Sequence, residues 1–247
     1  MRIVYLSPHL DDAIFSCGGI IAHQVQTGND VEVWSIFTAD PPDDKLTAFA
    51  KILHRRWAKE GLPYELRRFE DEEACRVLGV KSRHFNFPDC IYRYYDTNKS
   101  PLVRKTSDLF RPVREPEISL EGNILSTVFS NLSIDDQVIL PLGVGEHIDH
   151  LLIRQLGLRL KNKKLFYPDF PYSGNLDSIE GLKLPVDANQ TRFYLDQQKI
   201  ELWKTAAGIY RSQISSFWKS TSSLFSELDK YAESDIGCTL WTLPESV

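Results

Sequence analysis

Apolar runs and segments of helical spacing alternate along the first part of the chain. Residues 3–7 form a continuous apolar run, residues 13–26 carry apolar side chains at helical spacing, and residues 31–37 form a second strand-like segment. The residues at 27–30 (Thr-Gly-Asn-Asp) end the helix between them. The pattern predicts a βαβ opening, and a crossover of this length places both strands parallel in one sheet.

The alternation continues downstream. Helical spacing is present at 46–59, 64–78, 120–132, from 149 onward, 195–218 and 221–232. Strand-like segments lie at 83–87, 137–142, 165–167 and 237–243. We therefore predict an α/β protein, a Rossmann-like three-layer sandwich with a mostly parallel central sheet, in which residues 1–247 form a single domain.

One stretch, residues 88–119, lacks this regularity. It is rich in Asp, Asn, Pro and charged residues with interleaved tyrosines, and it is too long for an ordinary connection between elements. Loops of this length are usually functional or disordered, and the aromatic residues favour an ordered excursion over the surface. We expect an ordered loop near the active site.

Composition narrows the classes of function. The chain has 247 residues and a formal charge of −5, so it lacks the basic surplus typical of nucleic-acid binding. Its apolar runs are too short to span a membrane, and the strand-like start does not resemble a signal peptide. The four cysteines are scattered without a C-x-x-C pair, which fits a reducing compartment. We expect a cytoplasmic protein without nucleic-acid partners.

Candidate metal chemistry is concentrated in two short segments, each directly after an apolar strand. His9 and Asp12 lie three residues apart after the first strand, and His147 and His150 lie three apart after the strand at 137–142. Ligands bind at the carboxyl ends of parallel strands, so the two segments can converge. His and Asp ligands leave open positions on zinc for water and substrate, and Asp11 is suited to act as a base.

A structural interpretation competes with this one. Asp11, Asp12 and Asp149 all stand where helix N-caps stand, and a lone Asp before a helix is usually a cap. A lone histidine is likewise usually structural. The joint occurrence of two acidic, histidine-bearing turns after separate strands favours a metal site over capping.

The same two segments carry a family resemblance. Residues 8–12 read P-H-L-D-D and residues 147–150 read H-I-D-H. They resemble the paired motifs H-P-D-D and H-x-D-H of the PIG-L or LmbE-like family of zinc-dependent N-acetylglucosaminyl deacetylases. Leu10 replaces the usual proline, at a position that supplies no ligand. Further resemblance is distributed over nearly the whole chain, at residues 68–79, 87–93, 141–145, 167–172 and 199–213.

The resemblance implies roles for the motif residues. His9, Asp12 and His150 would hold the zinc ion, for which iron or cobalt are possible substitutes because His and carboxylate ligands suit several divalent ions. Asp11 would be the general base. His147 would either protonate the leaving amine or stabilise the oxyanion.

Residues around the motifs receive roles in the same way. Asp149 would orient an imidazole, and Arg68, Asp89 and Arg93 would face the sugar or the group attached to it. Some relatives place a tyrosine two residues before the first histidine of the second motif, where this chain has Gly145. Oxyanion stabilisation would therefore rest on zinc and His147.

The resulting functional hypothesis is a zinc-dependent hydrolase that removes the N-acetyl group from a small glycoconjugate containing N-acetylglucosamine. Two alternatives stay open. One is an amidase with the same machinery that acts on another N-acyl or mercapturate-type thiol conjugate. The other is a non-catalytic sugar-binding member. The sequence indicates neither the group attached to the sugar nor the oligomeric state.

Overall fold

The computed structural model describes residues 1–42, 46–57, 63–95, 99–111, 117–176 and 178–244. The strands are β1 (Arg2–Ser7), β2 (Asp30–Ser35), β3 (Lys81–His84), β4 (Gln137–Pro141), β5 (Lys163–Tyr167), β6 (Asn189–Arg192) and β7 (Thr239–Thr242). The α-helices are α1 (Asp12–Gln26), α2 (Ala48–Trp57), α3 (Pro63–Leu78), α4 (Ile118–Thr127), α5 (Ile148–Leu158), α6 (Gln197–Ala207), α7 (Arg211–Phe217) and α8 (Thr221–Glu233).

The described strands form one seven-stranded sheet in the order β3-β2-β1-β4-β5-β7-β6. The pairs among β1 to β5 are parallel, while β7 runs antiparallel to both β5 and β6. The chain begins in the middle of the sheet, builds outward through β2 and β3, and then returns to place β4 beside β1. This arrangement, flanked by helices, confirms the predicted α/β class with a mostly parallel sheet.

The central strands are buried because helices cover them on their faces. All residues of β4 are buried, and β1 is buried from Ile3 onward, as continuous apolar runs in a parallel sheet predict. Helix α1 is buried on most of its surface and packs closely against α6. A side chain at Gly18 would lie only 2.2 Å from the Trp203 ring, so this glycine permits the close approach of the two helices.

Several elements differ from the sequence prediction. The strand predicted at 83–87 is β3 at Lys81–His84, and the helix predicted at 120–132 ends at Thr127 and is followed by a 3₁₀ helix. The helix predicted at 195–218 is interrupted between α6 and α7, where Tyr210 turns inward and its hydroxyl donates to Asp71 at 2.7 Å. Strand β6 was not predicted, because its residues are polar and mostly exposed, so they carry no apolar alternation. The predicted helix at 46–59 ends in residues that lie outside the described part of the chain.

Described residues of the irregular stretch 88–119 pack with residues of other elements in a second, smaller hydrophobic core. Within this stretch lie 3₁₀ helices at Cys90–Tyr92 and Thr106–Phe110. The side chains of Ile91 and Val103 are buried in a cluster with Trp57 of α2 and Leu10 beside β1. These contacts hold the stretch over the carboxyl end of β1, while residues 96–98 and 112–116 lie outside the described part.

Two further features bear on the chain's chemistry. All four cysteines are free and buried. No helix in the described ranges combines the length and the apolar character needed to cross a bilayer.

Candidate active site

The two motif segments lie next to each other at the carboxyl edge of the sheet. β1 and β4 are adjacent parallel strands, and β1 leads into His9 while β4 leads into His147. The order of strands reverses between β1 and β4, and such a switch point opens a crevice at the strand ends. The topology therefore explains why residues nearly 140 positions apart share one site.

Asp12 stands at the centre of the cluster. Its Oδ2 atom lies 3.1 Å from His9 Nδ1 and 3.2 Å from His150 Nε2. The same oxygen accepts a 2.7 Å hydrogen bond from the His9 backbone N–H, which fixes the carboxylate in the turn before α1. One ring nitrogen of His9 and one of His150 thus both lie within hydrogen-bond distance of the same carboxylate oxygen.

Each of these imidazoles is supported from behind by a second carboxylate. His9 Nε2 lies 3.0 Å from Asp149 Oδ2, and His150 Nδ1 lies 2.6 Å from Asp169 Oδ1. A carboxylate on the far ring nitrogen fixes the tautomer and the orientation of a metal-binding histidine. The other ring nitrogen of each histidine, which faces Asp12, is therefore the one available to bind a metal ion.

The supporting carboxylates are themselves held in place. Asp149 makes a 2.7 Å ion pair with Arg93 and accepts a hydrogen bond from the Cys90 backbone N–H. Asp169 accepts hydrogen bonds from the backbone N–H groups of Gly143 and Val144, at 2.6 and 2.8 Å. Asp149 and Asp169 are almost fully buried, so both charges depend on these partners.

Protonation of the cluster reflects this concentration of carboxylates. Burial disfavours the charged form of His150, but Asp12 and Asp169 outweigh it and raise its pKa to about 10. Burial acts likewise on His9, whose pKa is raised well above its usual value by Asp12 and Asp149. The carboxylates around the two imidazoles therefore favour positive charge at this position.

The donor set fits a divalent metal ion. Neutral imidazole and carboxylate are ligands that zinc and related ions bind, and three protein ligands leave positions for water and substrate. His9 Nδ1, His150 Nε2 and Asp12 Oδ2 supply such a set, with both histidines oriented from behind. In addition, one ring nitrogen from each of His9, His147 and His150 lies within 4.8 Å of the other two. A buried metal site is thus compatible with the chemistry of these residues.

Asp11 lies beside this cluster and does not cap α1. It precedes the helix, but its side chain makes no capping hydrogen bond. Its Oδ1 atom lies 3.8 Å from the guanidinium of Arg67. Burial and the nearby Asp12 carboxylate raise the pKa of Asp11 to about 7, although Arg67 acts in the opposite direction. A carboxylate with such a pKa is able to accept and release a proton near neutral pH.

His147 is the N-cap of α5, and its ring lies 4.9 Å from that of His9 and 5.1 Å from that of His150. Its Nδ1 atom accepts a 3.3 Å hydrogen bond from the Asp149 backbone N–H. The neutral ring therefore carries its hydrogen on Nε2, the nitrogen that remains to serve as a donor. Burial, followed by the nearby charges of His9 and His150, lowers the pKa of His147 to about 3.

The cluster forms the floor of a cavity whose walls come from distant parts of the chain. Charged and polar lining residues are His9, Asp11, Asp12, Arg56, Arg67, Asp89, Thr106, His147, His150, Gln213 and Ser216. Aromatic and aliphatic lining residues are Phe49, Leu53, Trp57, Ile91, Leu109, Phe110, Tyr172 and Phe217. Helix α7 is held against α3 because Glu70 accepts hydrogen bonds from both the backbone N–H and the hydroxyl of Ser212.

The three residues predicted to bind substrate have different positions. Asp89 lines the cavity and accepts a 2.6 Å hydrogen bond from the Tyr64 hydroxyl. Arg93 is buried behind Asp149, with which it pairs, and is not among the described lining residues. Arg68 points away from the cavity, donating to the Thr38 carbonyl at 2.8 Å and pairing with Asp40 at 2.9 Å.

The cavity arginine of α3 is Arg67, the residue before the predicted one. It is 3% exposed, and its guanidinium lies over the Trp57 ring at 4.7 Å from the centroid. Arg67 lies four and seven residues before Asp71 and Ala74 and shares the face of α3 that they bury, but which face is buried depends on tertiary packing.

Other residues of the site received no role in the sequence analysis, although Asp169, Tyr172 and Gln213 lie within the segments of family resemblance. Asp169 follows β5 at the same edge of the sheet as His9 and His147, and that position was the available signal. Tyr172, Gln213 and Phe217 lie in segments whose approach to the floor depends on tertiary packing, and local spacing gives no indication of it.

Gly145 makes room for one of these residues. Its φ angle is +86°, and a Cβ atom there would lie 2.6 Å from Cγ of Tyr172. The Tyr172 ring therefore occupies the space beside the position where some relatives carry a tyrosine. The ring lies 6.2 Å from that of His150.

This packing leads to a prediction about stability. Gly28 has nearly the same φ angle, +85°, but no atom within 4 Å of its added Cβ. We expect Gly28→Ala to cost about 1–2 kcal/mol of unfolding free energy from backbone strain. Gly145→Ala is expected to cost about 1–3 kcal/mol more, because the methyl group displaces Tyr172. Urea unfolding of both variants checks this, and equal losses would refute the contact.

Comparison with known proteins gives a family match and similar structures. The family model "PIG-L: GlcNAc-PI de-N-acetylase" matches residues 4–161. The 2'-N-acetylparomamine deacetylase of Niallia circulans is 29% identical over 189 residues, covering 68% of this chain and 66% of that protein. The chain thus matches just under two-thirds of the length of that relative.

Solved structures match over nearly the full chain. The A40926 pseudoaglycone deacetylase is 26% identical with a TM-score of 0.73, covering 98% of this chain and 96% of its own. The zinc-inhibited form of teicoplanin deacetylase has a TM-score of 0.78 at 24% identity and covers 98% and 97% of the two chains. The match to teicoplanin deacetylase shows that this chain has the same fold as that protein.

Proposed function

This chain belongs to the PIG-L family, and we propose that it is a metal-dependent hydrolase that removes the N-acetyl group from a small glycoconjugate containing N-acetylglucosamine. The observation that carries the proposal is the convergence of His9 Nδ1 and His150 Nε2 on Asp12, with Asp11 buried alongside. Similar proteins named for deacetylation of 2'-N-acetylparomamine and of A40926 pseudoaglycone support acetyl removal as the reaction.

His9, Asp12 and His150 would hold the metal ion in this proposal. We favour zinc, with iron or cobalt as substitutes, because imidazole and carboxylate ligands suit all three. When bound, such an ion supplies Lewis acidity toward the amide carbonyl and makes water a better nucleophile at neutral pH. Asp149 and Asp169 keep the two imidazoles in the required orientation through their contacts at 3.0 and 2.6 Å.

Asp11 acts as the general base. It is buried next to the ligand Asp12, yet its carboxylate is directed toward Arg67 and the cavity. It removes a proton from the attacking water and holds it while the carbon–nitrogen bond is still intact. The same carboxyl group can then return the proton to the amine nitrogen, which must be protonated because an amide anion is a poor leaving group.

His147 stabilises the negative charge that develops on the amide oxygen. Its Nδ1 atom accepts a backbone N–H, so its Nε2–H is the donor available to the substrate. Of the two roles that the family resemblance left open for His147, this tautomer favours hydrogen-bond donation over protonation of the amine. Donors aimed at a developing oxyanion contribute strongly to catalysis in buried sites.

A pair of substitutions tests this role. We expect His147→Ala to lower kcat/KM about 10²- to 10³-fold because the oxyanion donor is lost. His147→Gln should recover at least about tenfold over His147→Ala, because an amide N–H donates a hydrogen bond but transfers no proton at neutral pH. Amine release measures both rates. Equal rates for the two variants would instead assign His147 to proton transfer.

Asp89 and Arg67 are the polar groups that we propose for binding the sugar hydroxyls. Both line the cavity and both are buried, whereas Arg93 acts behind the site by holding Asp149. Arg68 has no proposed role in substrate binding, since it pairs outside the cavity.

We further propose that residues 1–247 act as one domain in the cytoplasm, on a small-molecule substrate. The common sheet and the packing of Ile91 and Val103 with Trp57 and Leu10 support the first point. The free state of all four cysteines supports a reducing compartment.

The experiment that tests the function compares acetylated substrates. Purified protein supplied with zinc is incubated with methyl N-acetylglucosaminide and, separately, with an N-acetylcysteine S-conjugate, and acetate and free amine are quantified. We expect release from the sugar. Release from the thiol conjugate alone would favour the other amidase activity, and saturable sugar binding without any product would favour a binding protein.

A further inference from the structure

The outer part of the cavity differs in character from its floor. Above the charged cluster, the wall contains Phe49 and Leu53 of α2, Leu109 and Phe110 of a 3₁₀ helix, and Phe217 at the end of α7. Apolar side chains from three separate elements therefore face one space.

Aromatic rings run from the floor to the mouth. Phe110 lies edge-on to His147 with centroids 5.8 Å apart, and it contacts Tyr172 at the same distance. Tyr172 in turn contacts Phe217 at 6.3 Å. We call Phe110, Tyr172 and Phe217 the aromatic wall.

The three rings of the aromatic wall are exposed to solvent to different degrees. Tyr172 and Phe110 are both half-buried, and Phe217 is 43% exposed. A ligand group that covers Phe217 would remove apolar surface from water, which is favourable in proportion to the area covered.

The charges along the cavity restrict what can lie there. The lining carboxylates among the described residues are Asp11, Asp12 and Asp89, all at the floor and all in contact with partners. The charged lining side chain farther out is Arg56, which is exposed. A cationic group would meet repulsion from Arg56 and no unpaired carboxylate among the described lining residues, so an uncharged apolar group fits this wall better.

From these observations we infer that the aromatic wall is a binding site for an uncharged apolar aglycone larger than methyl, such as an aryl group, carried by the amino sugar. The inference rests on the proposed function, because it places the acetamido group at the floor. The acetyl group is small and its carbonyl must reach the metal ligands, so the sugar and its aglycone extend toward the mouth. The aglycone then lies along Phe110, Tyr172 and Phe217.

The test compares aglycones on one acetylated sugar. The substrates are the methyl and phenyl β-glycosides of N-acetylglucosamine, together with N-acetylated paromamine as a glycoside with a cationic aglycone. We expect kcat/KM for the phenyl glycoside to exceed that for the methyl glycoside by about tenfold or more, mainly through a lower KM. The cationic glycoside should be the poorest of the three.

Two variants test whether the expected preference for the phenyl aglycone arises at the aromatic wall. Phe217→Ala should reduce the phenyl-to-methyl ratio of kcat/KM to within about twofold of unity, because the ring that the aglycone covers is gone. Phe69→Ala is the matched control, since Phe69 is 60% exposed on α3 and is not among the described residues of this cavity. It should leave the ratio and the basal rate unchanged.

A binding measurement distinguishes failure of the aglycone site from failure of the proposed function. Calorimetry with phenyl β-glucosaminide, the deacetylated product, reports the aglycone site without turnover, and its affinity should fall about tenfold in Phe217→Ala. Wall-dependent phenyl binding in a protein that releases no acetate would overturn the proposed function and support the aglycone site. Acetate release with a phenyl-to-methyl ratio near unity, or a ratio that Phe217→Ala leaves unchanged, would overturn the aglycone site alone.

Discussion

Asp11→Asn is expected to lower kcat/KM for acetate release by about 10²- to 10⁴-fold, the usual contribution of a general base. The amide has nearly the same size as the carboxylate, so the turn before α1 and the position of Asp12 should be kept. It cannot accept a proton from water. Because Asp11 is not one of the three converging donors, the variant should bind metal as the unmodified protein does.

The matched control is Asp40→Asn. Asp40 pairs with Arg68 outside the cavity and its side chain is 53% exposed, so this variant should keep normal activity. Two results would contradict the assignment of Asp11. A near-normal rate in Asp11→Asn would place the base elsewhere, and loss of metal would mean that Asp11 acts by supporting Asp12.

His150→Ala is expected to abolish metal binding and to reduce acetate release to background. The substitution removes the donor that lies 3.2 Å from Asp12, and it leaves the buried Asp169 carboxylate without its 2.6 Å imidazole partner. Loss of a supporting residue typically costs 10- to 100-fold in metal affinity, so we expect more than about 100-fold for this ligand. Mass spectrometry of metal content and acetate release check the two effects.

His23→Ala provides the comparison for this variant. His23 lies in the last turn of α1 and packs edge-on to Phe193, away from the cavity, so its loss should change neither metal content nor rate. A His150→Ala protein that folds, as judged by circular dichroism, and still binds one metal ion per chain would contradict the ligand assignment.

The sequence predicted those parts of the fold and site that depend on local pattern and on general rules of topology. Continuous apolar runs identified β1 and β4 because both are buried on both faces. Parallel strands align their carboxyl ends, so the histidines that follow them were expected at one edge. The pairing of β1 with β4 and the 3.0 Å contact between His9 and Asp149 show this juxtaposition.

Features that depend on tertiary packing could not be predicted from the sequence in the same way. The choice between Arg67 and Arg68 depends on the helical phase of α3, where one position separates a cavity residue from one that pairs with Asp40. Strand β6 is polar because it lies at the edge of the sheet, and the break before α7 depends on the burial of Tyr210.

The supporting role of Asp169 shows the same limit at the site. Its carboxylate contacts an imidazole 19 residues earlier in the chain and two backbone N–H groups that follow β4. No spacing rule connects these groups in sequence. They meet because β4 and β5 are neighbours in the sheet.

The most direct test of the central claim, that the cluster around Asp12 is the metal centre of an N-deacetylase, is a stoichiometric metal titration. Protein stripped with a chelator is titrated with zinc while bound metal and acetate release from an N-acetylglucosaminide are measured in the same samples. We predict that both rise together and level off at about one ion per chain. Undiminished acetate release from the stripped protein, or binding of zinc that restores no release, would contradict the claim.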